Sequence, residues 1–355
     1  MELRRATVET LKELISINSV SGKEKDIQEY IESRLMRAGI NLEKQPVEGD
    51  RFNLIYNNRS EHLISCHVDT VPPAGMEEPF LAREEGDRIY GRGASDVKGA
   101  LSALIVAIES FVKENLSTEL PLSLAFVVDE ETNSALGSEK AVEVLGEGKK
   151  CLVLEPTYGK FCTSQLGSLE FSLTVKGQSV HGAEFELVEN PIKVCMELIK
   201  SIEEKLNRDV SILKIKGGSG LYMVPDRCET LLEVKLYEGE SWKEIEEKIK
   251  EALKEGAVSC ELDYRLEDVE EFIEFKKGGF LKLLEDTFEE ALGRKPERGV
   301  MPSWTDASNY HRAGYECVVF GEGSLAISHT DRESISISEL ESMALFFKRL
   351  LEKLR

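Results

Sequence analysis

A histidine and two aspartates occupy positions that suit metal chemistry. Residues 63–69 read as a short strand, which places His67 and Asp69 on the same face. A metal-bound imidazole usually needs a carboxylate or carbonyl on its other ring nitrogen, so this pair fits a ligand and its orienting partner. Asp96 follows about thirty residues later, on a glycine-bracketed turn before an apolar helix. Taken alone, the pair is equally consistent with a polar strand end that binds nothing.

Further acidic and imidazole groups come directly after strand-like segments. They are Glu130 and Glu131 after residues 121–128, Glu155 after residues 151–154, and His329 after residues 316–320 and a glycine loop. Open α/β sheets usually place their ligands outside the carboxyl ends of the strands. Solvated loop acids would explain any one of these positions, but they explain the repeated pattern poorly. We therefore expect these side chains to meet at one edge of a sheet.

Several carboxylates at one edge repel each other by roughly 1–4 kcal/mol for each close pair, so the cluster needs a cation. Carboxylates and imidazoles without thiolates favour zinc, with cobalt or manganese as substitutes. Two ions about 3.5–4 Å apart need a bridging carboxylate, and Asp96 is the natural bridge. Of the adjacent Glu130 and Glu131, one can bind metal while the other acts as general base. Zinc lowers the pKa of water to about 7, which suits hydrolysis of amides, esters or phosphates.

Other assignments fit the sequence less well. It contains neither a G-x-S-x-G elbow nor a P-loop, and Asp96 stands where a dinucleotide loop would have its third glycine. His62 precedes its strand at the opposite end and is predicted to lie on the surface. His311 is predicted to lie on a helix face and is the runner-up to His329 as a ligand.

Composition narrows the classes of partner and the cellular compartment. The chain has 355 residues, a hydrophobic content of 41% and a formal charge of −21. This charge argues against nucleic acid and anionic membrane as partners. The seven cysteines are scattered without a C-x-x-C motif, which fits a reducing compartment. No signal sequence or apolar run of transmembrane length is present, so we expect a cytoplasmic protein.

The order of predicted elements indicates one α/β domain interrupted by an inserted α+β domain. A helix is expected over residues 6–16, and a capping box at residues 21–24 is expected to open the next helix. Between residues 167 and 270 the order becomes β-α-β-β-α-β, which is the ferredoxin-like arrangement. The expected domains are therefore residues 1–166 and 271–355 together, and residues 167–270.

The candidate residues belong to segments that resemble a known enzyme family. It is the co-catalytic zinc metallopeptidase family that includes acetylornithine deacetylase, succinyl-diaminopimelate desuccinylase, aminoacylase and zinc glutamate carboxypeptidase. The resemblance runs nearly end to end and is carried by six segments in the family's order, CHVDTVP, YGRGASDVKGAL, VVDEET, LEPT, GQSVHG and SHTDRES. It implies an α/β zinc-peptidase-like catalytic domain with an inserted ferredoxin-like α+β domain that serves as lid and dimerisation domain.

The resemblance also implies a role for each candidate residue. It implies His67, Asp96 and Glu155 on one zinc, Asp96, Glu131 and His329 on the other, Glu130 as general base, Asp69 as the residue that orients His67, and His181 as a lid histidine that stabilises the oxyanion. The peptide bond between Asp96 and Val97 is expected to be cis.

Two departures from the family's pattern concern the substrate. Lys235 stands where the family has an arginine that clamps a substrate carboxylate, so it would act as a point charge rather than a bidentate fork. Trp304 stands in a loop that is usually rich in glycine, and it is expected to narrow or line the pocket. Gly323, in the glycine loop before His329, is the other candidate substrate contact.

The sequence thus predicts a two-zinc amidohydrolase that cleaves an amide next to a carboxylate-bearing amino acid. Deacylation or desuccinylation of an N-acyl amino acid is the leading version, and carboxypeptidase or dipeptidase action is the alternative. A metal-dependent binding protein without turnover is a third hypothesis, against which Glu130 argues because a pure binder needs no base. The expected partners are a small acyl-amino acid or short peptide and, through the lid, a second copy of the chain.

Overall fold

The computed structural model describes residues 2–132, 135–256 and 260–355. The chain divides into two compact units. The larger unit comprises Met1–Ser164, Phe275–Met301 and Thr305–Arg355, and the smaller comprises Gln165–Glu274 and Pro302–Trp304. The chain enters the smaller unit after Ser164, two residues before the expected boundary at residue 166. It leaves this unit after Glu274, four residues beyond the expected boundary at residue 270. The short segment that contains Trp304 also groups with the smaller unit.

The first part of the larger unit alternates strands and helices. Its helices are α1 (Glu2–Ser16), α2 (Lys25–Arg37), α3 (Lys98–Asn115) and α4 (Leu136–Leu145). Its strands are β1 (Glu43–Glu48), β2 (Arg51–Tyr56), β3 (His62–His67), β4 (Arg83–Glu85), β5 (Arg88–Tyr90), β6 (Ser123–Val127), β7 (Lys150–Leu154) and β8 (Lys160–Gln165). The sequence predicts a helix over residues 133–146, whose first two residues, Asn133 and Ser134, lie outside the described residues.

The smaller unit follows, and the chain then returns to the larger one. The smaller unit contains β9 (Gly167–Lys176), β10 (Val180–His181), a 3-10 helix (Gly182–Leu187), α5 (Pro191–Leu206), β11 (Ser211–Gly217), β12 (Met223–Val224), β13 (Arg227–Leu236), α6 (Trp242–Glu255), β14 (Glu261–Glu270) and β15 (Ile273–Glu274). The returning chain forms α7 (Phe280–Leu292), β16 (Glu297–Met301), α8 (Ala307–Arg312), β17 (Glu316–Phe320), β18 (Ser334–Ser336) and α9 (Ile337–Leu354).

Parallel strands form the centre of the main sheet in the larger unit. Neighbouring strands run in the order β1-β2-β6-β3-β7-β17-β8, and β16 pairs with β8. The adjacent pairs β6–β3, β3–β7 and β7–β17 are parallel. Strands β6 and β17 are buried at every position, as expected where both faces of a parallel sheet are covered. The carboxyl ends of these four strands therefore meet at one edge.

Helices supply the apolar cover of this sheet. Helix α3 is buried at most positions from Lys98 to Phe111, whereas α9 buries one face and exposes the other. Helices α1, α3 and α9 pack against each other. Aromatic side chains contribute to the core, where the Phe161 and Phe320 rings stack with centroids 4.4 Å apart.

The smaller unit has its own sheet and its own core. Its sheet order is β11-β13-β9-β14, and each adjacent pair is antiparallel. With α5 and α6 this gives the β-α-β-β-α-β arrangement predicted from the sequence. Strand β9 alternates buried and half-buried residues, as expected for a sheet with one face on the core. The sequence predicts a strand over residues 257–264, of which residues 257–259 lie outside the described residues.

Two local predictions were wrong. The expected capping box at residues 21–24 does not form, because α2 begins at Lys25 and its N-cap is Glu24, which makes no side-chain capping bond. The Ser21 hydroxyl donates to Asp69. His62 was expected on the surface, but its side chain is only 13% exposed and its ring lies 5.7 Å from that of Phe280. Ser21 and His62 therefore each contact a residue distant in sequence, Asp69 and Phe280 respectively.

Among the described residues, no helix combines the length and apolar character that crossing a membrane requires.

Candidate metal centre

The central parallel strands bring the candidate ligands to one edge of the sheet. His67 is the last residue of β3, where it is in register with Val127 at the end of β6. Glu130 and Glu131 follow β6, Glu155 directly follows β7, and the loop after β17 leads to His329. Asp96 precedes α3, and its peptide bond to Val97 is cis, as the resemblance implied. The topology therefore gathers residues separated by up to 262 positions in sequence.

Asp96 lies between the two histidines. Its Oδ1 atom is 3.1 Å from Nε2 of His67, and its Oδ2 atom is 3.5 Å from Nε2 of His329. His329 Nε2 also lies 2.9 Å from Oε2 of Glu131, and His67 Nε2 lies 3.9 Å from Oε2 of Glu155. A carboxylate that presents one oxygen to each imidazole has the arrangement that a bridging ligand needs.

The side chains fall into two groups that fit divalent cations. One ligand atom from each of His67, Glu130 and Glu155 lies within 4.8 Å of the others, and the same holds for Asp96, Glu131 and His329. Within the described part of the chain, the buried Oε1 atoms of Glu131 and Glu155 have no hydrogen-bond partner. Buried carboxylate oxygens without donors are costly, and a cation would satisfy them. The mixed carboxylate and imidazole donors suit zinc, cobalt or manganese.

The titration of these groups reflects their crowding. Burial, followed by the charge of Glu155, raises the pKa of Glu130 well above its usual range. Burial and then Asp96 raise the pKa of Glu131 to about 7. Burial favours neutral His67, but Glu155, Asp69 and Asp96 outweigh it and raise the pKa of this histidine. These directions are those expected when several carboxylates compete for too few positive charges.

Asp69 contacts the segments on both sides of the centre. Its backbone carbonyl accepts from Nδ1 of His67 at 3.2 Å, while its carboxylate lies 3.6 Å from the same nitrogen. The carboxylate oxygens accept from the backbone N–H groups of Glu130 at 3.2 Å and Glu131 at 3.0 Å, and from the Ser21 hydroxyl at 2.8 Å. Asp69 therefore contacts His67 through its carbonyl and the Glu130–Glu131 segment through its carboxylate.

The other predicted site residues lie in different surroundings. Gly323 has φ +106° in the larger unit, and a Cβ there would lie 2.7 Å from Oγ of Ser95. In the smaller unit, Nδ1 of the exposed His181 accepts from the N–H of Ala183. Lys235, also in this unit, pairs with Glu233 at 3.0 Å. The roles of Gly323, His181 and Lys235 in substrate binding stay predictions.

Two further positions clarify the assignment. Among the described residues, His311 belongs to neither ligand group, and its ring lies 5.8 Å from that of Phe275, which agrees with its prediction as a helix-face residue. Arg92 and Glu333 were not predicted as site residues, although they lie in the segments YGRGASDVKGAL and SHTDRES. They form a buried ion pair beside the centre.

Comparison with known proteins identifies the family. Residues 63–353 match the sequence profile of Peptidase family M20/M25/M40. The chain belongs to this family.

Relatives within family M20 carry two kinds of name. A succinyl-diaminopimelate desuccinylase of Methylobacillus flagellatus is 27% identical over 98% of this chain and 99% of its own length. A probable carboxypeptidase of Emericella nidulans is 29% identical over 96% of this chain and 87% of its own. The chain is accordingly a hydrolase of amide bonds, as predicted.

Solved structures confirm the fold. A Staphylococcus aureus tripeptidase superposes with a TM-score of 0.78 over 99% of this chain and 98% of its own, at 17% identity. A dinuclear metal-binding M20 peptidase of Bacillus subtilis superposes with a TM-score of 0.68 over 99% of both chains, at 16% identity. The predicted α/β catalytic domain with an inserted α+β domain is therefore the M20 architecture.

Proposed function

We propose that this M20 hydrolase uses two zinc ions to remove the acyl group from an N-acyl amino acid, as an acetylornithine deacetylase or succinyl-diaminopimelate desuccinylase would. The observation that carries the proposal is the placement of the Asp96 carboxylate between His67 and His329, with one oxygen near each imidazole. The similarity to a desuccinylase over nearly the whole length of both chains supports the substrate class.

His67, Asp96 and Glu155 would hold one zinc, and Asp96, Glu131 and His329 the other. When bound, the ions polarise the scissile carbonyl and make water a stronger acid. Cobalt or manganese would be accepted as substitutes, because the donor set contains no thiolate. The cytoplasmic location and the choice of zinc stay predictions.

Glu130 would take the proton of the attacking water and later deliver it to the leaving amine. Its carboxylate belongs to the group that contains His67 and Glu155, so it lies beside the reaction centre. Asp69 supports this role by holding the N–H of Glu130.

The substrate carboxylate would pair with Lys235, and His181 would stabilise the developing oxyanion. Lys235 is a half-buried cation in a chain of charge −21. His181 lies on β10 with its ring 5.2 Å from that of Tyr222, and its side chain is exposed. Gly323, whose backbone approaches Ser95 closely, would let substrate pass near the loop before His329.

A substrate panel tests the reaction class. The metal-free protein would be reconstituted with zinc or cobalt and offered N-succinyl and N-acetyl amino acids beside dipeptides with a free carboxyl terminus. We expect the highest kcat/KM on an N-acyl amino acid. A clear preference for dipeptides would favour the alternative carboxypeptidase or dipeptidase function, which the similarity to the Emericella protein supports. Failure to hydrolyse either class with any metal would refute the proposal.

We further propose that the smaller unit forms a homodimer through β11. All seven residues of this strand are exposed, and Ile212, Leu213 and Ile215 are 41%, 49% and 49% exposed. Within the described chain, β11 pairs only with β13, so one edge of the strand remains open. An open apolar edge is a template for pairing with another chain, and a second copy would cover it.

Sedimentation velocity of the wild-type chain and of Ile215→Lys tests the dimer. We expect the wild type to be a dimer and Ile215→Lys to shift it toward monomer. Leu81→Lys, at a position 60% exposed in the larger unit, is the matched control and should leave the dimer intact. A monomeric wild type would refute the dimer without affecting the proposed reaction.

A further inference from the structure

A buried ion pair lies beside the candidate metal centre. Nη1 of Arg92 donates to Oε2 of Glu333 at 2.5 Å, and both side chains are completely buried. The two residues are 241 positions apart in sequence. Arg92 lies in the turn before α3, and Glu333 directly precedes β18. Burying two charges has a large desolvation cost, so such a pair is weak evidence for a contribution to stability alone.

The carboxylate of Glu333 also binds the backbone of a candidate ligand. Its Oε1 atom accepts from the N–H groups of Ser95 and Asp96, each at 3.1 Å. Glu333 therefore holds the turn from which the Asp96 side chain leaves, and it does so with the oxygen that is not paired with Arg92. A displacement of this carboxylate would move the backbone of the proposed bridging residue.

The guanidinium of Arg92 reaches a second candidate ligand. Its Nη2 atom donates to the backbone carbonyl of His329 at 3.3 Å and to that of Pro73 at 2.9 Å. His329 has φ +65° and a half-exposed side chain, and it lies outside the helices and strands. Its backbone position therefore depends on contacts of this kind rather than on a regular element.

We propose that the Arg92–Glu333 pair is a positioning device that sets the distance between Asp96 and His329 and thereby tunes the affinity of the centre for its second metal ion. The proposal rests on the metal centre proposed above. Asp96 and His329 belong to the same ligand group, so a change in their separation acts directly on that ion. Groups that orient metal ligands typically change metal affinity or activity by about 10- to 100-fold when they are altered.

Charge and geometry can be separated by the choice of variant. Glu333→Gln removes a negative charge near the cations and would weaken binding by electrostatics as well as by position. Arg92→Lys conserves the charge, but its compact ammonium cannot reproduce the planar fork that reaches Glu333, Pro73 and His329 together. A loss of affinity in Arg92→Lys therefore reports geometry.

The matched control is Arg34→Lys. Arg34 makes a bidentate pair with Glu109, at 2.8 and 3.0 Å, that joins α2 to α3. This substitution weakens an ion pair of the same kind in the same unit. It should change thermal stability but not metal binding.

The metal-free proteins would be titrated with cobalt in competition with a chelator, while the visible absorption of bound cobalt is followed. We expect the wild type and Arg34→Lys each to bind two ions, and we expect the affinities and spectra to be the same for both proteins. Arg92→Lys should bind one of the two ions about 10- to 100-fold more weakly, with a shifted absorption band. Glu333→Gln should show a loss at least as large, because it also removes a negative charge. If Arg92→Lys does not fold, the absorption band of Glu333→Gln provides the test, because a shifted band reports a changed arrangement of the ligands.

Two results would overturn the inference in distinguishable ways. If the wild type binds two ions and the folded variants match it in affinity and spectrum, the positioning role is wrong and the metal centre stands. If the wild type itself binds no cobalt, the proposed metal centre and the positioning role both fail.

Discussion

Asp69 shows how a single side chain can organise a site built from several strands. Its carbonyl accepts from His67 at the end of β3, while its carboxylate accepts from the N–H groups of Glu130 and Glu131 after the neighbouring strand β6. The family resemblance assigned only the first of these tasks. The structure adds the second, which ties the proposed base and a proposed ligand to the same carboxylate.

Glu130→Gln tests the proposed base. The amide keeps the size of the side chain but cannot accept a proton from water, so we expect kcat to fall by about 10²- to 10⁴-fold. Steady-state kinetics would measure kcat, and elemental analysis should show that two metal ions remain bound. Glu131→Gln is the control, because it replaces a proposed ligand and should reduce metal content instead. Full activity in Glu130→Gln would show that another group takes the proton.

At the scale of elements, the start of α9 is secured by a reciprocal cap. The Ser336 hydroxyl accepts from the N–H of Glu339 at 3.1 Å, and the Glu339 carboxylate accepts from the N–H of Ser336 at 2.7 Å. This capping box forms where the one predicted at residues 21–24 does not. The difference is the position at which each helix begins: Ser336 is the N-cap of α9, whereas the N-cap of α2 is Glu24 and not Ser21.

Ser336→Ala should lower the free energy of unfolding of the larger unit by about 1 kcal/mol, because an N–H at the helix start loses its acceptor. Urea denaturation followed by circular dichroism would measure the change. Ser241→Ala is the control, since Ser241 is the N-cap of α6 but makes no side-chain capping bond. Equal effects of the two substitutions would mean that the observed cap contributes nothing.

Helices α1 and α2 are joined by a contact that titrates in base. Tyr30 on α2 donates to Glu13 on α1 and accepts from Arg34 at 2.7 Å. Burial, followed by the bond to Glu13, raises the pKa of Tyr30 from 10.0 to about 12. The folded chain therefore keeps this proton over a range in which the unfolded chain has released it.

Stability should consequently fall as the pH rises from about 10 to about 12. Tyr30→Phe removes the titrating hydroxyl and should make the dependence of the unfolding midpoint on pH shallower in this range. Tyr222→Phe, at a ring 75% exposed, is the control and should follow the wild type. Parallel curves for all three proteins would contradict a role for Tyr30.

At the scale of the whole molecule, one sheet edge carries a concentration of negative charge. Four carboxylates meet there with two imidazoles, and burial raises the pKa of three of these acids, Glu130, Glu131 and Glu155. The folded state therefore accepts an electrostatic cost that divalent ions would offset.

Metal removal should destabilise the protein. Ions that bind only the folded state stabilise it by about 2.7 kcal/mol at a concentration one hundred times Kd. Chelation should therefore lower Tm, and excess zinc or cobalt should restore it, as differential scanning calorimetry would show. Magnesium is the control and should restore little, because imidazole ligands suit it poorly. An unchanged Tm after complete chelation would contradict a tightly held metal in the folded state.

Local sequence patterns predicted most elements of the fold because burial and alternation leave a strong periodic signal. The apolar segment at residues 121–128 was expected to be a covered strand, and β6 is buried at every position. Residues 316–320 form β17 with the expected bounds. The placement of acids and histidines after these segments predicted a shared edge, because parallel strands end on the same side.

The sequence by itself determined which residue types can bind metal and, through strand order, that they converge. Only the tertiary structure decided which hydroxyl, carbonyl or carboxylate each of them meets. The Ser21 hydroxyl donates to Asp69, 48 positions away, and Arg92 pairs with Glu333 across 241 positions. A hydrogen bond depends on distances of about 3 Å that chain folding sets, and no local periodicity records which distant partner will satisfy a buried polar group.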